Sequence, residues 1–237
     1  MRVMSFEISA PLACFRKATT FDKSTEFILT YDMMPITVLK GIIGAVLGYN
    51  GLAVAYRNKQ QPEYMLKLAD VGIGMQPIKL GTKFTQQITN TTGFANKRAT
   101  GIIKQEVLAD VSYRIYLTDE FTDFDLLYQK LISNQTTYPI VLGRKGFNAQ
   151  ISEVRIFEED ILPEFEGSLD SFYENSFVEA SDFDLFDDDE ETFKYLIDLP
   201  IAYDNLMMYK FREIGYSDAS ISYKGEVLAE QKIAILR

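Results

Sequence analysis

The sequence predicts an α+β fold, and three observations carry the prediction. Apolar residues recur at every second position in some stretches and at every third or fourth in others, in the order strand, helix, strand, strand, helix, strand across residues 1–157. A polar excursion rich in Thr, Asn and Gly interrupts that order without adding to a core. After residue 157 an acidic stretch gives way to short strand-like pieces. The order in the first part is that of a ferredoxin-like domain, an architecture also used by RNA-recognition motifs. Residues 1–157 are therefore expected to form that domain, and residues 158–237 an acidic linker with a small β-rich appendage.

Met4, Phe6 and Ile8 fall on one face of the first strand, with Ser5, Glu7 and Ser9 on the other. The opening residues lack the apolar run of a signal peptide, which favours a cytoplasmic location. A loop from Ala10 to Lys23 gathers Pro11, Phe15, Arg16 and Lys17, so basic and aromatic groups sit together. A second strand is expected over Glu26 to Tyr31, and Pro35 with Thr37 forms a reasonable helix start, Pro suiting the first turn and Thr the cap. In the helix from Val38 to Leu47, Val38, Leu39, Ile42, Ile43, Val46 and Leu47 fill one half of the wheel, while Gly41, Gly44 and Gly48 line up opposite. Each interior glycine costs a helix about 0.5 to 1 kcal/mol relative to Ala, so something must approach that face closely. The approaching body is either another helix or strand, or the backbone of a ligand near the positively polarised helix start.

Strands are expected over Leu66 to Met75 and Val107 to Leu117, and the excursion between them fits a protruding hairpin. No Asp or Glu occurs between Asp70 and Glu106, whereas Lys79, Lys83, Lys97, Arg98 and Lys104 all fall there. Next, Phe124, Leu127, Tyr128, Leu131 and Ile132 follow helical spacing after a cap at Thr122 or Asp123. Tyr138 to Phe147 then leads into a strand over Gln150 to Phe157. Lys145-Gly146-Phe147 matches only the start of the aromatic RNA-recognition strand signature, and Asn148 breaks the match. The rest reads as an acidic, mobile stretch to Glu191, then strand pieces over Tyr195 to Leu199, Met207 to Arg212, Ala219 to Tyr223 and Lys232 to Leu236.

Charge and composition limit the chemistry. Residues 1–157 hold 18 Lys/Arg against 13 Asp/Glu, and residues 158–237 hold 6 against 21, so the net charge of −10 averages two different surfaces. A basic segment inside an acidic chain is either a solvated loop or a local device for holding a polyanion. With no histidine and a single Cys14, neither a Ser-His-Asp nor a Cys-His system can be built, and no disulfide or zinc cluster forms within the chain. The acidic run Asp182, Asp184, Asp187, Asp188, Asp189, Glu190 and Glu191 reads as solvated. An EF-hand fails because Phe186 and Asp187 occupy positions five and six. Neither a metal nor a cofactor is called for. The most apolar segment, Gly41 to Tyr49, is far short of the ~20 residues that span a bilayer, and no membrane partner is expected.

Several fragments resemble a known family. The strand and loop from Met4 to Arg16, the helix Pro35-Ile36-Thr37-Val38-Leu39-Lys40-Gly41-Ile42-Ile43-Gly44-Ala45-Val46-Leu47-Gly48, the strand Val107 to Leu117, and Leu142-Gly143-Arg144-Lys145 are similar, in order and spacing, to the CRISPR-associated protein five family of the RAMP superfamily. The likeness covers most of residues 1–157, and the C-terminal part resembles nothing comparable. The resemblance implies a non-catalytic, I-B-like subunit of a type I Cascade complex. It also implies a β-hairpin thumb at about residues 78–104, and capture of the crRNA 5′ handle against the glycine-bearing helix and adjoining loops. The implied partners are the crRNA handle, the first backbone subunit, the large subunit and, indirectly, target DNA.

On this reading Gly41, Gly44 and Gly48 admit the sugar-phosphate backbone, and Thr37 donates to phosphate oxygens. Arg16, Lys17, Lys40, Arg144 and Lys145, with Lys83, Lys97, Arg98 and Lys104 on the hairpin, supply charge. Phe15 and Phe147 stack on handle bases, or else are buried. Arg114 and Lys104 face RNA from the sheet or lie on its solvated side. The alternative class is a metal-independent endoribonuclease acting on CRISPR repeat RNA. One subfamily cuts with Tyr, Lys and His, and the absence of histidine departs from that pattern.

Overall fold

The computed structural model describes residues 1–17, 27–90, 101–179, 193–204 and 206–237. Among these, strands far outnumber helices, giving a mixed α+β architecture. The longest strand, β5 (Gly101–Thr118), is the axis of the main sheet. Along the C-terminal half of β5, β1 (Arg2–Ala13) pairs antiparallel from Val3 opposite Thr118 to Ala13 opposite Leu108, and β6 (Gln150–Glu158) pairs with β1. On the other edge of β5, β3 (Ile73–Lys79) lies beside Ser112 to Leu117. The order β3, β5, β1, β6 is antiparallel throughout.

The N-terminal half of β5 forms a long ribbon with β4 (Thr82–Asn90), from Thr82 opposite Ala109 to Asn90 opposite Gly101. The short β2 (Phe27–Ile28) joins this ribbon in parallel at Lys104 and Gln105. Where ribbon meets sheet, the buried faces exchange. Leu108 and Val111, three residues apart, both enter the main core, as do Ala10 and Ala13 on the partner strand. Asp110 takes a positive φ of 58° at that point, opposite Pro11. Strict alternation would send Leu108 and Val111 to opposite faces, so the reversal aims a second apolar face of the ribbon away from the main core.

Helix α1 (Ile36–Leu47) and helix α4 (Phe124–Ile132) cover one face of the sheet, burying Leu39, Ile43, Val46, Leu127 and Leu131 against Met4, Phe6, Ile8, Tyr113 and Ile115. Pro35 occupies the position before α1 and its carbonyl accepts from the amides of Val38 and Leu39. Thr37 is not the cap. Its hydroxyl is buried and donates to the Pro200 carbonyl 3.4 Å away. Two short helices, α2 (Leu52–Asn58) and α3 (Glu63–Lys67), follow. The expected strand over 66–75 therefore begins only at Ile73, because Tyr64 and Met65 need a helical turn to reach the core together.

The C-terminal third adds β7 (Ile161–Leu162), β8 (Phe165–Gly167), β9 (Tyr173–Glu174), β10 (Lys194–Tyr203), β11 (Tyr209–Ser217), β12 (Ile221–Tyr223), β13 (Val227–Leu228) and β14 (Ile233–Ala234). Phe172, Leu199, Tyr203, Ile214 and Leu236 share the main core, and Ile73 and Leu236 exchange both backbone hydrogen bonds at 2.9 and 2.8 Å. Within 161–174, where a linker is expected, lie three short strands and the buried aromatics Phe172 and Tyr173. The acidic run from Asp182 to Glu191 lies outside the described residues. Among the described residues no single helix is long and apolar enough to cross a membrane.

Candidate nucleic-acid interface

The glycine face of α1 is closed by protein. A Cβ added at Gly44 would lie 2.7 Å from the Tyr64 Cβ and 3.2 Å from its Cγ, and one at Gly41 would lie 3.8 Å from the same ring. At the end of the helix, Gly48 takes a φ of 91° and faces Thr137, whose Cγ2 would be 3.0 Å from an added Cβ. The body that Gly41 and Gly44 admit is therefore α3, through Tyr64, and Thr137 takes the same part at Gly48, so protein occupies the approach to this face. Lys40 is likewise withdrawn. It is only 5% exposed, its Nζ reaches the Ala69 carbonyl at 3.5 Å, and burial pushes its ammonium down to about 8 against the opposing pull of Asp70.

Phe15 is 1% exposed and belongs to the main core, while Phe147 packs with Cys14 and Val107 beneath the ribbon. Neither ring is available for stacking, because each fills apolar space between elements. Lys83 is paired with Asp32, which also accepts from the Tyr195 hydroxyl at 2.6 Å. Although burial works against it, Asp32 is held below the usual carboxylate range by these two partners. Lys83 therefore ties the base of the ribbon to β10. Arg114 pairs with Glu153 at 2.7 Å and with Glu7 at 3.8 Å on the open face of the sheet. Lys97 and Arg98 lie outside the described residues.

The remaining cations converge at the root of the ribbon. Arg16, exposed, forms an isolated bridge with Thr30, and Lys17 places its Nζ 5.5 Å from the centre of the Tyr31 ring. Arg144 and Lys145 are exposed on a tight turn whose stem is Val141 opposite Asn148, closed by the amide of Phe147 donating to the Arg144 carbonyl at 3.0 Å. Gly143 lets this turn dock. It takes a φ of 87°, and a Cβ there would lie 1.8 Å from the Cys14 carbonyl oxygen, so no other residue fits. Cys14 in turn donates its amide to the Leu142 carbonyl at 3.0 Å. Burial pushes its thiol pKa up, which disfavours the thiolate.

Arg16 and Arg144 line one cleft of about 280 Å³ with Cys14, Ile28, Ile88, Ile103, Gln105 and Gly143. Arg144 donates to the Gln105 side-chain oxygen at 2.7 Å, which aims its guanidinium across the cleft. Ile88 and Ile103 are directly opposed in the ribbon and supply an apolar wall, whereas the exposed Lys104, one position on, projects from the opposite face of the ribbon. Cations beside an apolar wall suit a strand that presents both phosphates and bases. Of the residues lining this cleft, sequence reasoning named Arg16 and Arg144 and did not name Ile28, Ile88, Ile103 or Gln105. The one available signal was apolar isoleucines inside an otherwise polar excursion.

A family model described as CRISPR-associated protein (Cas_Cas5) matches residues 3–122, half of the chain. The chain belongs to the CRISPR-associated Cas5 family. Within this Cas5 chain the match takes in β1, α1, the ribbon and β5, and stops before the turn bearing Arg144. The crystal structure of a CRISPR protein from Archaeoglobus fulgidus aligns over all of the chain and 99% of its own length, with 10% identity and a TM-score of 0.51, so the two share a fold. A chain described as belonging to a CRISPR RNA-guided surveillance complex aligns over 94% of this chain and 91% of its own, with 13% identity and a TM-score of 0.49. Comparison with curated proteins finds no match. The role of this Cas5 protein is therefore CRISPR-associated.

Proposed function

We propose that this chain is a non-catalytic, cytoplasmic subunit of a type I Cascade surveillance complex that captures the 5′ handle of the crRNA at the root of its hairpin. The carrying observation is that Arg16 and Arg144 line a single cleft walled by Ile28, Ile88 and Ile103. Phosphates would be held by Arg16 and Arg144, with Lys145 and Lys17 close to the same edge and Lys104 on the far face of the ribbon, and a base would lie against the isoleucines. The strand order β3, β5, β1, β6 supports the ferredoxin-like reading of the body, and the β4–β5 ribbon supports the thumb. The thumb would reach the first backbone subunit, and the body the large subunit. We keep the division at residue 157 as a change of surface charge, since the core continues across it.

The two arginines of the cleft support binding, and the lack of a histidine to serve as a general base or acid near neutrality favours binding over cutting. The test is binding of repeat-derived handle RNA by the full chain and by Arg16→Ala/Arg144→Ala. Loss of two phosphate contacts should lower the salt slope of log K by about 1 to 2. Equal binding and equal slope would refute the cleft. Specific cleavage at the handle boundary without metal would refute the non-catalytic role.

A further inference from the structure

The turn between β10 and β11 carries the most exposed large apolar side chains among the described residues, Leu206 at 82% and Met208 at 64%, with Phe211 at 47% just behind. This turn is held by its own backbone. The Asp204 carboxylate accepts from the amides of both Leu206 and Met208 at 2.8 Å. The Asp204 amide donates to the Met208 carbonyl at 2.8 Å, and Met207 takes a positive φ of 61°. Behind it, Tyr203 and Tyr209 stack with ring centres 4.9 Å apart, and the Gln61 side chain donates to the Tyr203 carbonyl at 3.1 Å. A turn with these backbone hydrogen bonds has less main chain to order on binding, and exposed apolar side chains mark docking sites.

The surroundings select the partner. Gln61 brings the end of α2 beside the hairpin, and there Arg57 and Lys59 are exposed, as is Lys210 next to the turn. None of these three makes an ion pair among the described residues. We infer that the β10–β11 turn is a protein-docking knob, inserting Leu206 and Met208 into an apolar pocket with an acidic rim on a neighbouring protein subunit. A two-residue knob fits a pocket better than the flat plane of a bilayer, and the rim cations would speed encounter and fix orientation.

The inference rests on the reading of this chain as one subunit of an assembly. Its test therefore measures assembly and RNA binding separately. The full chain is co-expressed with the proteins encoded beside its gene and with guide RNA, and compared with Leu206→Asp/Met208→Asp. Because both side chains lie in solvent, the variant should keep the melting temperature and handle binding of the parent. It should lose one protein subunit from the particle, with affinity for that subunit down about tenfold or more. Arg57→Glu/Lys59→Glu/Lys210→Glu should weaken the same contact and flatten its salt dependence.

Particles of unchanged composition and affinity would overturn the knob while leaving the assembly reading intact. A wild-type chain that joins no particle would overturn both. Self-association of the isolated wild-type chain that the Asp variant abolishes would assign the knob to a second copy instead. Binding to vesicles of phosphatidylcholine and phosphatidylserine that the Asp variant abolishes would assign it to a membrane surface.

Discussion

Two glycines one helical turn apart should respond to the same substitution with opposite signs. At Gly44 an alanine Cβ would lie 2.7 Å from the Tyr64 Cβ, whereas carbon atoms in contact prefer about 3.5 to 4.0 Å, so α1 and α3 must separate by roughly 0.8 Å or more. Overpacking of this kind costs about 1 to 3 kcal/mol, and the helix propensity gained returns only about 0.5 to 1 kcal/mol. Gly44→Ala should therefore destabilise by about 1 to 2 kcal/mol, a fall of about 2 to 8 °C in melting temperature for a chain of this size. At Gly41 the added Cβ would meet the Tyr64 ring at 3.8 Å, an ordinary contact. Gly41→Ala should keep the propensity gain and melt about 1 to 4 °C higher. Thermal melting followed by circular dichroism reads both, with handle binding measured on the same samples. The reasoning fails if Gly44→Ala melts at or above the parent. If it also loses RNA, the glycine face is a nucleic-acid surface after all.

Lys40→Met should stabilise by up to about 3 kcal/mol at pH 7, because it removes an ammonium whose pKa burial has pushed to about 8. The unfolded chain holds that proton up to about 10.5, so between pH 8 and 10.5 the unfolded state binds more protons and parent stability rises with pH. Urea unfolding of parent and variant should therefore converge above pH 8, by at most about 1.4 kcal/mol per pH unit, and a constant gap would contradict a buried ammonium. Gly143→Ala should displace the Arg144 turn from Cys14 and cut handle binding as far as Arg144→Ala does, which filter binding can compare. Asp32→Ala should free Lys83 and remove the acceptor of Tyr195, loosening the ribbon root from β10. Faster amide exchange at Thr82 to Gln87 with little change in the C-terminal sheet would bear that out.

Much of the fold was legible because periodicity reports burial directly. Met4, Phe6 and Ile8 on β1, Leu39, Ile43 and Val46 on α1, and Leu127 and Leu131 on α4 are core residues at the positions their spacing predicts. Other parts were hidden for physical reasons. The C-terminal strands β7, β8 and β9 are two or three residues long, too short to show a period, and are fixed instead by buried aromatics such as Phe172 and Tyr173. The exchange of faces at Asp110 was equally invisible, since nothing in the alternation of Val107 to Leu117 announces a positive φ at an aspartate.

The candidate site moved from α1 to the ribbon root for a reason that concerns desolvation. A glycine stripe reports only that something comes close, and the sequence around Lys40 leaves open whether that body is RNA or Tyr64. Packing α3 onto α1 closes the stripe and strips water from Lys40, and a lysine that burial has half neutralised near pH 8 is a poor phosphate ligand. Arg16, Arg144 and Lys145 are exposed, and an arginine cannot shed its proton under any folding condition. Exposed cations can exchange water for phosphate at little structural cost. On the proposed reading a polyanion surface would follow exposure rather than charge count, so Arg144, beyond the matched family segment, is expected to outweigh Lys40 within it.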